Sequence, residues 1–376
     1  MQLAVNSGHY LYYCFPYLVN AQQYKCRFDP DAPFEVCSAE EVICPALESG
    51  SSTLEYHIDT DYKYYLNNWF DQMDLMCENP VQTNFMISLR LIAYGLAGIL
   101  FFWVPDRYGR RPTLLINWAA NLLAQYIMIF VPTYEARLIG FILQGLTMLK
   151  VQVPYVWVAE IVPAARATLS SVCLTSFDSS TLMIACLYFI LISRDWLPLI
   201  LSMTVLSTLA LLYALIFIPE SPHWLLAQGR VSETIDAFNS MAKFNGVNAR
   251  IPKGSTFMET ADRESIMDAN EATPTNLSQL VANNLSLHQR HARPDRVNCL
   301  LIVMIMIMAG GVNNGYWMTL FNVTNVEGNK FINGIILGAA EMSSGILSGF
   351  LITYTSASTA FRMLCGVSIV FSAINQ

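Results

Sequence analysis

Seven residues, Asp106-Arg107-Tyr108-Gly109-Arg110-Arg111-Pro112, break up two apolar runs at 85–104 and 113–131. Each run is long enough to cross about 30 Å of hydrocarbon as a helix. The charged knot between them must stay in water, and three arginines in so short a loop put it on the cytoplasmic side. A chain patterned this way folds as a polytopic membrane protein. Composition agrees: 54% of the 376 residues are hydrophobic and 13% charged, against about 25% charged in soluble domains. The net charge of −7 says little about partners because its sign is unevenly placed, but no basic face for nucleic acid occurs.

Apolar windows recur at 3–20, 82–104, 113–132, 137–158, 170–192, 196–218, 298–320, 331–353 and 362–374, the first and last marginal in length. Alternation from the 106–112 turn gives the expected organisation. A partial first span (1–20) precedes an outer cysteine-bearing segment (21–80) and spans two to six (81–222). An inner helical segment (223–297) and spans seven to nine (298–376) follow. Six spans, an inner segment and three more imply two halves, the second lacking its last three helices, so the chain reads as truncated. No charged n-region precedes the first window, so a cleaved signal peptide is not expected.

Residues 21–80 are rich in acids and hold Cys26, Cys37, Cys44 and Cys77. An even set in an oxidising outer compartment predicts two disulfides, with three pairings open. The spacings lack a CxxC pair, so no metal site is expected. In the inner segment, Ile235, Phe238, Met241 and Ala242 form one apolar stripe of a helix capped near Ser232 and Thr234, and a second helix is expected near 276–287. No nucleotide-binding loop, zinc motif or nucleophile elbow occurs, so neither an enzyme nor a cofactor is expected.

Three charged boxes punctuate the inner face: Asp106-Arg107-x-Gly109-Arg110-Arg111, then Glu160-x-x-Pro163-x-x-Arg166, then Pro219-Glu220-Ser221-Pro222-His223-Trp224-Leu225 followed by Gly229-Arg230. They place opposite charges at matching helix ends. Pairs that form when the ends converge and break when they part would make a cytoplasmic gate of Asp106, Arg107, Gly109, Arg110, Arg111, Glu160, Arg166, Glu220 and Arg230. An exposed pair contributes about 0–1 kcal/mol, which suits an equilibrium crossed repeatedly.

In this order the boxes resemble the major facilitator superfamily, in both its sugar-porter and organic-ion branches. The long four-cysteine segment, ending in Leu66-Asn67-Asn68-Trp69-Phe70-Asp71-Gln72-Met73-Asp74-Leu75-Met76-Cys77-Glu78, resembles the organic cation/anion/carnitine branch. The resemblance implies an all-α transmembrane fold and alternating access of a small organic ion, cation, anion or zwitterion, across a lipid bilayer. It leaves the coupling ion and the oligomeric state open. Alternatives are a sugar-porter-like carrier, a truncated non-transporting partner or scaffold, and a receptor-like sensor using residues 21–80.

The resemblance also implies that the first and fourth helices of each half line the cavity. In the fourth, Lys150 lies thirteen residues after Arg137, about 20 Å deeper. A membrane-buried ammonium is a functional candidate by default. Lys150 with Gln144 would hold an anionic group, and Tyr155 matches an aromatic position that contacts cations in the family. Against this, Lys150 could pair with Asp178 or Glu341, and Trp157 could face lipid. Glu341, in Ala339-Ala340-Glu341-Met342-Ser343, resembles a cation-branch pattern with Ser343 in place of proline. Tyr316 and Trp317 could stack on an organic cation or belong to an aromatic belt. Asn322 opens an outer glycosylation sequon, whereas those at Asn276 and Asn284 fall inside. The chain departs from the family at Phe102 (usually glycine), at His223 (usually arginine) and after the eighth window, where Arg362 alone remains of the box.

Overall fold

The computed structural model of the protein describes residues 8–50, 54–162, 164–248, 250–255 and 315–355, with single positions at 359, 362, 363 and 366. It divides into two compact units, residues 1–224 with 320–376, and residues 225–319.

Among the described residues, six helices are long and apolar enough to cross a membrane. They follow α1 (Tyr10–Leu18), a short buried helix, and α2 (Trp69–Gln72). The crossing helices are α3 (Pro80–Phe101), α4 (Arg110–Phe130), the pair α5 (Tyr134–Leu146) and α6 (Leu149–Ile161), α7 (Ala164–Leu191), α8 (Trp196–Phe217) and, after α9 (Val231–Phe244) of the second unit, α10 (Lys330–Tyr354). Short polar side chains start several of them by accepting a bond from a free backbone N–H. Asn79 caps α3, Thr133 α5, Asp195 α8 and Asn329 α10. The fourth expected span is two helices that meet at Thr147 and Met148. There Thr147 Oγ1 donates to the Gln144 carbonyl at 3.0 Å and its backbone leaves the helical region. The seventh and ninth windows lie mostly outside the described residues, as does the expected helix near 276–287.

The broadest helix contact joins α7 to α10. Gly338 allows it: a Cβ there would stand 3.2–3.3 Å from the Met183 backbone nitrogen, the Met183 side chain and the Ser179 carbonyl. Small residues at such seams let helix backbones approach closely, and packing then supplies the attraction that lipid does not.

The cysteine-bearing segment holds a three-stranded antiparallel sheet of order β2-β1-β3, with β1 at Tyr24–Arg27, β2 at Glu35–Cys37 and β3 at Glu55–Ile58. Of the three pairings left open, the structure adopts Cys26–Cys37 and Cys44–Cys77. Tyr24, Cys26 and Ile43 form its small core. The Asn68 amide ties it to α1 by donating to the carbonyls of Tyr17 (3.2 Å) and Asn20 (2.8 Å). Trp69 packs edge-on against Trp196 of α8 with ring centroids 5.4 Å apart. Arg137, at the start of α5, stacks over Trp69 at 4.3 Å and donates to Gln72 Oε1 at 2.7 Å.

In the second unit α9 forms where the stripe predicts, with Thr234, Ile235 and Ala237 buried. Phe238 of the expected stripe is 38% exposed. The helix begins at Val231 with no side-chain cap. Ser232 therefore falls inside the first turn, and Thr234 Oγ1 donates to the Arg230 carbonyl instead.

Candidate solute site and charged helix ends

A buried polar network runs through the interior of the first unit. Thr204 of α8 donates to Gln125 Oε1 (3.0 Å), Gln125 to Asn121 Oδ1 (2.7 Å) and Asn121 to Thr147 Oγ1 (3.1 Å). Gln144 Nε2 donates to the Gly8 carbonyl at 3.2 Å, and Gln144 Oε1 accepts from Arg90 Nε at 3.1 Å. The Arg90 guanidinium also lies 3.4 Å over the Tyr12 ring, a cation–π contact strengthened by the dry surroundings. Lys150 Nζ sits where a Cβ on Gly8 would go, beside the Asn121 and Gln125 side chains. It is buried, and among the described residues it has no hydrogen-bond partner.

Arg90 and Lys150 thus bring two cations into the bundle interior, and neither pairs with a described carboxylate. The Lys150–Asp178 alternative fails because Asp178 Oδ1 bonds His9 Nδ1 at 2.8 Å. The Lys150–Glu341 alternative fails with it, since Nζ is unpartnered. The lipid-facing alternative for Trp157 is also overturned: the indole is buried with Leu114, Leu149 and Val153. Tyr155 and Glu341 are half-buried in the same unit. Tyr316 and Trp317 belong to the second unit, where their rings meet at 4.9 Å. Asn322 is exposed. Sequence reasoning passed over Arg90, His9, Asn121 and Gln125. The available signal was polar residues inside apolar windows, with Asn121 and Gln125 one helical turn apart.

Residues of all three charged boxes meet at one end of this unit. The chain turns into α4 through Gly109 at φ 106°, a conformation glycine adopts freely. That leaves the first N–H groups of α4 free, and Glu220 Oε1 accepts from the Arg110 and Arg111 amides at 2.9 and 3.1 Å. A carboxylate at a helix N-terminus also gains from the helix dipole. The Arg110 guanidinium bridges Asp106 (2.6 Å) and Glu160 (2.9 Å), while Glu160 Oε2 accepts from the Ser221 hydroxyl at 2.6 Å. Trp224 Nε1 closes the cluster by donating to the Asp106 carbonyl at 2.7 Å. Two expected members stand apart, and a third belongs to the second unit. Arg107 is exposed against Trp103 and Tyr108, Arg166 is exposed and joins none of the described ion pairs, and Arg230 pairs with Glu233 in the second unit. The expectation of exposed, weak pairs is corrected as well, because the Arg110 and Glu160 side chains are only 10% and 12% exposed. Phe102 and His223, the departures from the family pattern, both face outward.

Comparison with known proteins bears on what this bundle is. The model of the Major Facilitator Superfamily matches residues 61–374. The chain belongs to that superfamily. It is a multi-pass integral membrane protein, and its similarity lies in the organic cation/carnitine branch. It is 25% identical to organic cation/carnitine transporter 2 of Rattus norvegicus over 80% of this chain and 50% of the relative. Against an organic cation transporter protein of Drosophila melanogaster the identity is 27%, over 82% and 54%. With a beta-alanine transporter of the same fly it is 24%, over 76% and 46%. The chain spans about half the length of the curated relatives it matches. These relatives are named as transporters, in line with the sequence reading.

Proposed function

We propose that this chain carries small organic ions across the bilayer by alternating access, and that Arg90 and Lys150 receive a carboxylate of the solute. One observation carries the reading: the Lys150 ammonium is buried beside a buried guanidinium, and among the described residues no carboxylate bonds to it. An isolated charge withdrawn from water costs several kcal/mol. A site that keeps one without a partner is suited to a guest that brings the partner. Two of the similar proteins are named for carnitine and β-alanine, zwitterions that each carry a carboxylate. Tyr155 and Glu341, in the same unit, are the candidates for a cationic end of such a solute. The cluster around Arg110 would close the cytoplasmic mouth, leaving the disulfide-bonded sheet outside.

The test is uptake of labelled L-carnitine and β-alanine in cells expressing the chain, with Lys150→Ala matched for surface abundance. Loss of saturable uptake in the variant is expected. Unaltered kinetics would remove Lys150 from the solute path. A wild-type chain that reaches the surface and moves neither solute would overturn transport and favour a partner or scaffold role.

A further inference from the structure

We infer that His9 and Asp178 form a proton site that tunes the charge of the Arg90–Lys150 pocket, so that a carboxylate solute and a proton load together. The inference rests on the reading above that the pocket receives an anion. Its geometry is independent of that reading. The His9–Asp178 pair lies inside the bundle, at 2.8 Å and with side chains 11% and 22% exposed. It links α1 to α7 across 169 residues of sequence. The pair and the pocket are contiguous. His9 follows Gly8, whose carbonyl takes the Gln144 amide and whose Cα lies under Lys150 Nζ.

The charges facing the imidazole come from every side. Asp178 approaches on α7, Lys150 on α6 and Arg90 on α3, with the Tyr13 ring 6.1 Å away. Helix α8 brings no ionised side chain, and α4 presents the neutral Asn121 and Gln125. An imidazole changes charge between about pH 5 and 8. With neutral His9 donating to Asp178, the pair carries −1 and the four groups together carry +1. A proton from solvent that binds the second ring nitrogen forms an N–H bond, brings the pair to zero and raises the group to +2. That state attracts a carboxylate more strongly, and by linkage the bound carboxylate strengthens proton binding by the same factor. No other atom is exchanged.

The experiment uses the full chain purified into lipid nanodiscs, with benzoate as the anionic probe and choline as the cationic control. Calorimetric titration at about pH 6 and about pH 8, in two buffers of different ionisation enthalpy, reads both affinity and protons taken up. Benzoate should bind about tenfold more tightly at the lower pH, taking up close to one proton per molecule at the higher pH, and choline should show neither effect. His9→Gln, which keeps a hydrogen bond to Asp178, should bind benzoate without pH dependence or proton uptake. Asp178→Asn serves as the second variant should the first not fold. Benzoate binding without proton uptake in the wild-type chain overturns the proton site and leaves the pocket standing. Proton uptake that persists in both variants also overturns it. Failure of benzoate to bind at either pH overturns the pocket, and the proton site with it.

Discussion

Arg110 reaches from the first turn of α4 to Glu160 on α6 at 2.9 Å, and both side chains are almost withdrawn from solvent. Removing one member of such a pair leaves the other charged and dry, at a cost of about 3–5 kcal/mol. Glu160→Ala should therefore lower the unfolding free energy by about that much, because Asp106, 73% exposed, is a poor substitute. Asp106→Ala should cost about 1 kcal/mol or less. Thermal unfolding of the two variants in nanodiscs checks the order. Equal losses would mean that the buried pair has no special weight.

Lys150 should behave in the opposite sense. Its ammonium is buried without a partner, so replacing it with a long apolar side chain removes a desolvation cost. Lys150→Met is expected to raise the unfolding midpoint by at least about 2 °C while abolishing carboxylate binding. A variant that is less stable than the parent would show that the ammonium is compensated in the resting protein.

The two disulfides close loops of different length, with sequence separations of 11 and 33. Chain entropy makes the longer closure worth about 1 kcal/mol more. Peptide mapping without reduction should recover Cys26 with Cys37 and Cys44 with Cys77. Replacing Cys44 and Cys77 together by serine should destabilise the protein more than replacing the other pair. Any other connectivity in the map refutes the sheet register as well, since Cys37 stands opposite Tyr24, two residues from Cys26.

Asp71, beside Tyr24 in the cysteine-bearing segment, supplies a pH test. Burial, aided by the nearby Asp74 carboxylate and opposed by the Tyr24 hydroxyl bond at 3.3 Å, pushes its carboxyl up to about 6. The folded protein therefore holds this proton more tightly than the unfolded chain, whose carboxyl titrates near about 3.9. The resulting stabilisation is full below about pH 4 and is lost as pH rises through about 6. Relative to Asp71→Asn, the wild-type unfolding midpoint should fall across that window and run parallel above about pH 7. A constant difference at all pH values would show that Asp71 is solvated.

How much of this was legible follows from the length scale of each signal. A bilayer demands about twenty apolar residues per crossing, so α3, α4, α7, α8 and α10 are visible as runs. The charged boxes are local motifs and could be read directly. The sheet was hidden because its strands are three or four residues long in a polar segment. The network was hidden for a different reason. Asn121 and Thr204 are single neutral residues on separate helices and Thr147 sits at the junction of two more, so their meeting depends on rotation about each helix axis. For the same reason the sequence could name Asp178 as a partner for Lys150 and miss that His9 takes it.

The way the disulfide-bonded sheet is fastened has a practical result. Its fastenings, Asn68 to the Tyr17 and Asn20 carbonyls, Trp69 against Trp196, and Gln72 under Arg137, go to α1, α8 and α5, and α10 contributes to none of them. A nanobody or fluorophore fixed to that sheet would hold a handle welded to one group of helices. Under the alternating access proposed above, its tilt would report the rocking of that group directly, without a label anywhere near the solute.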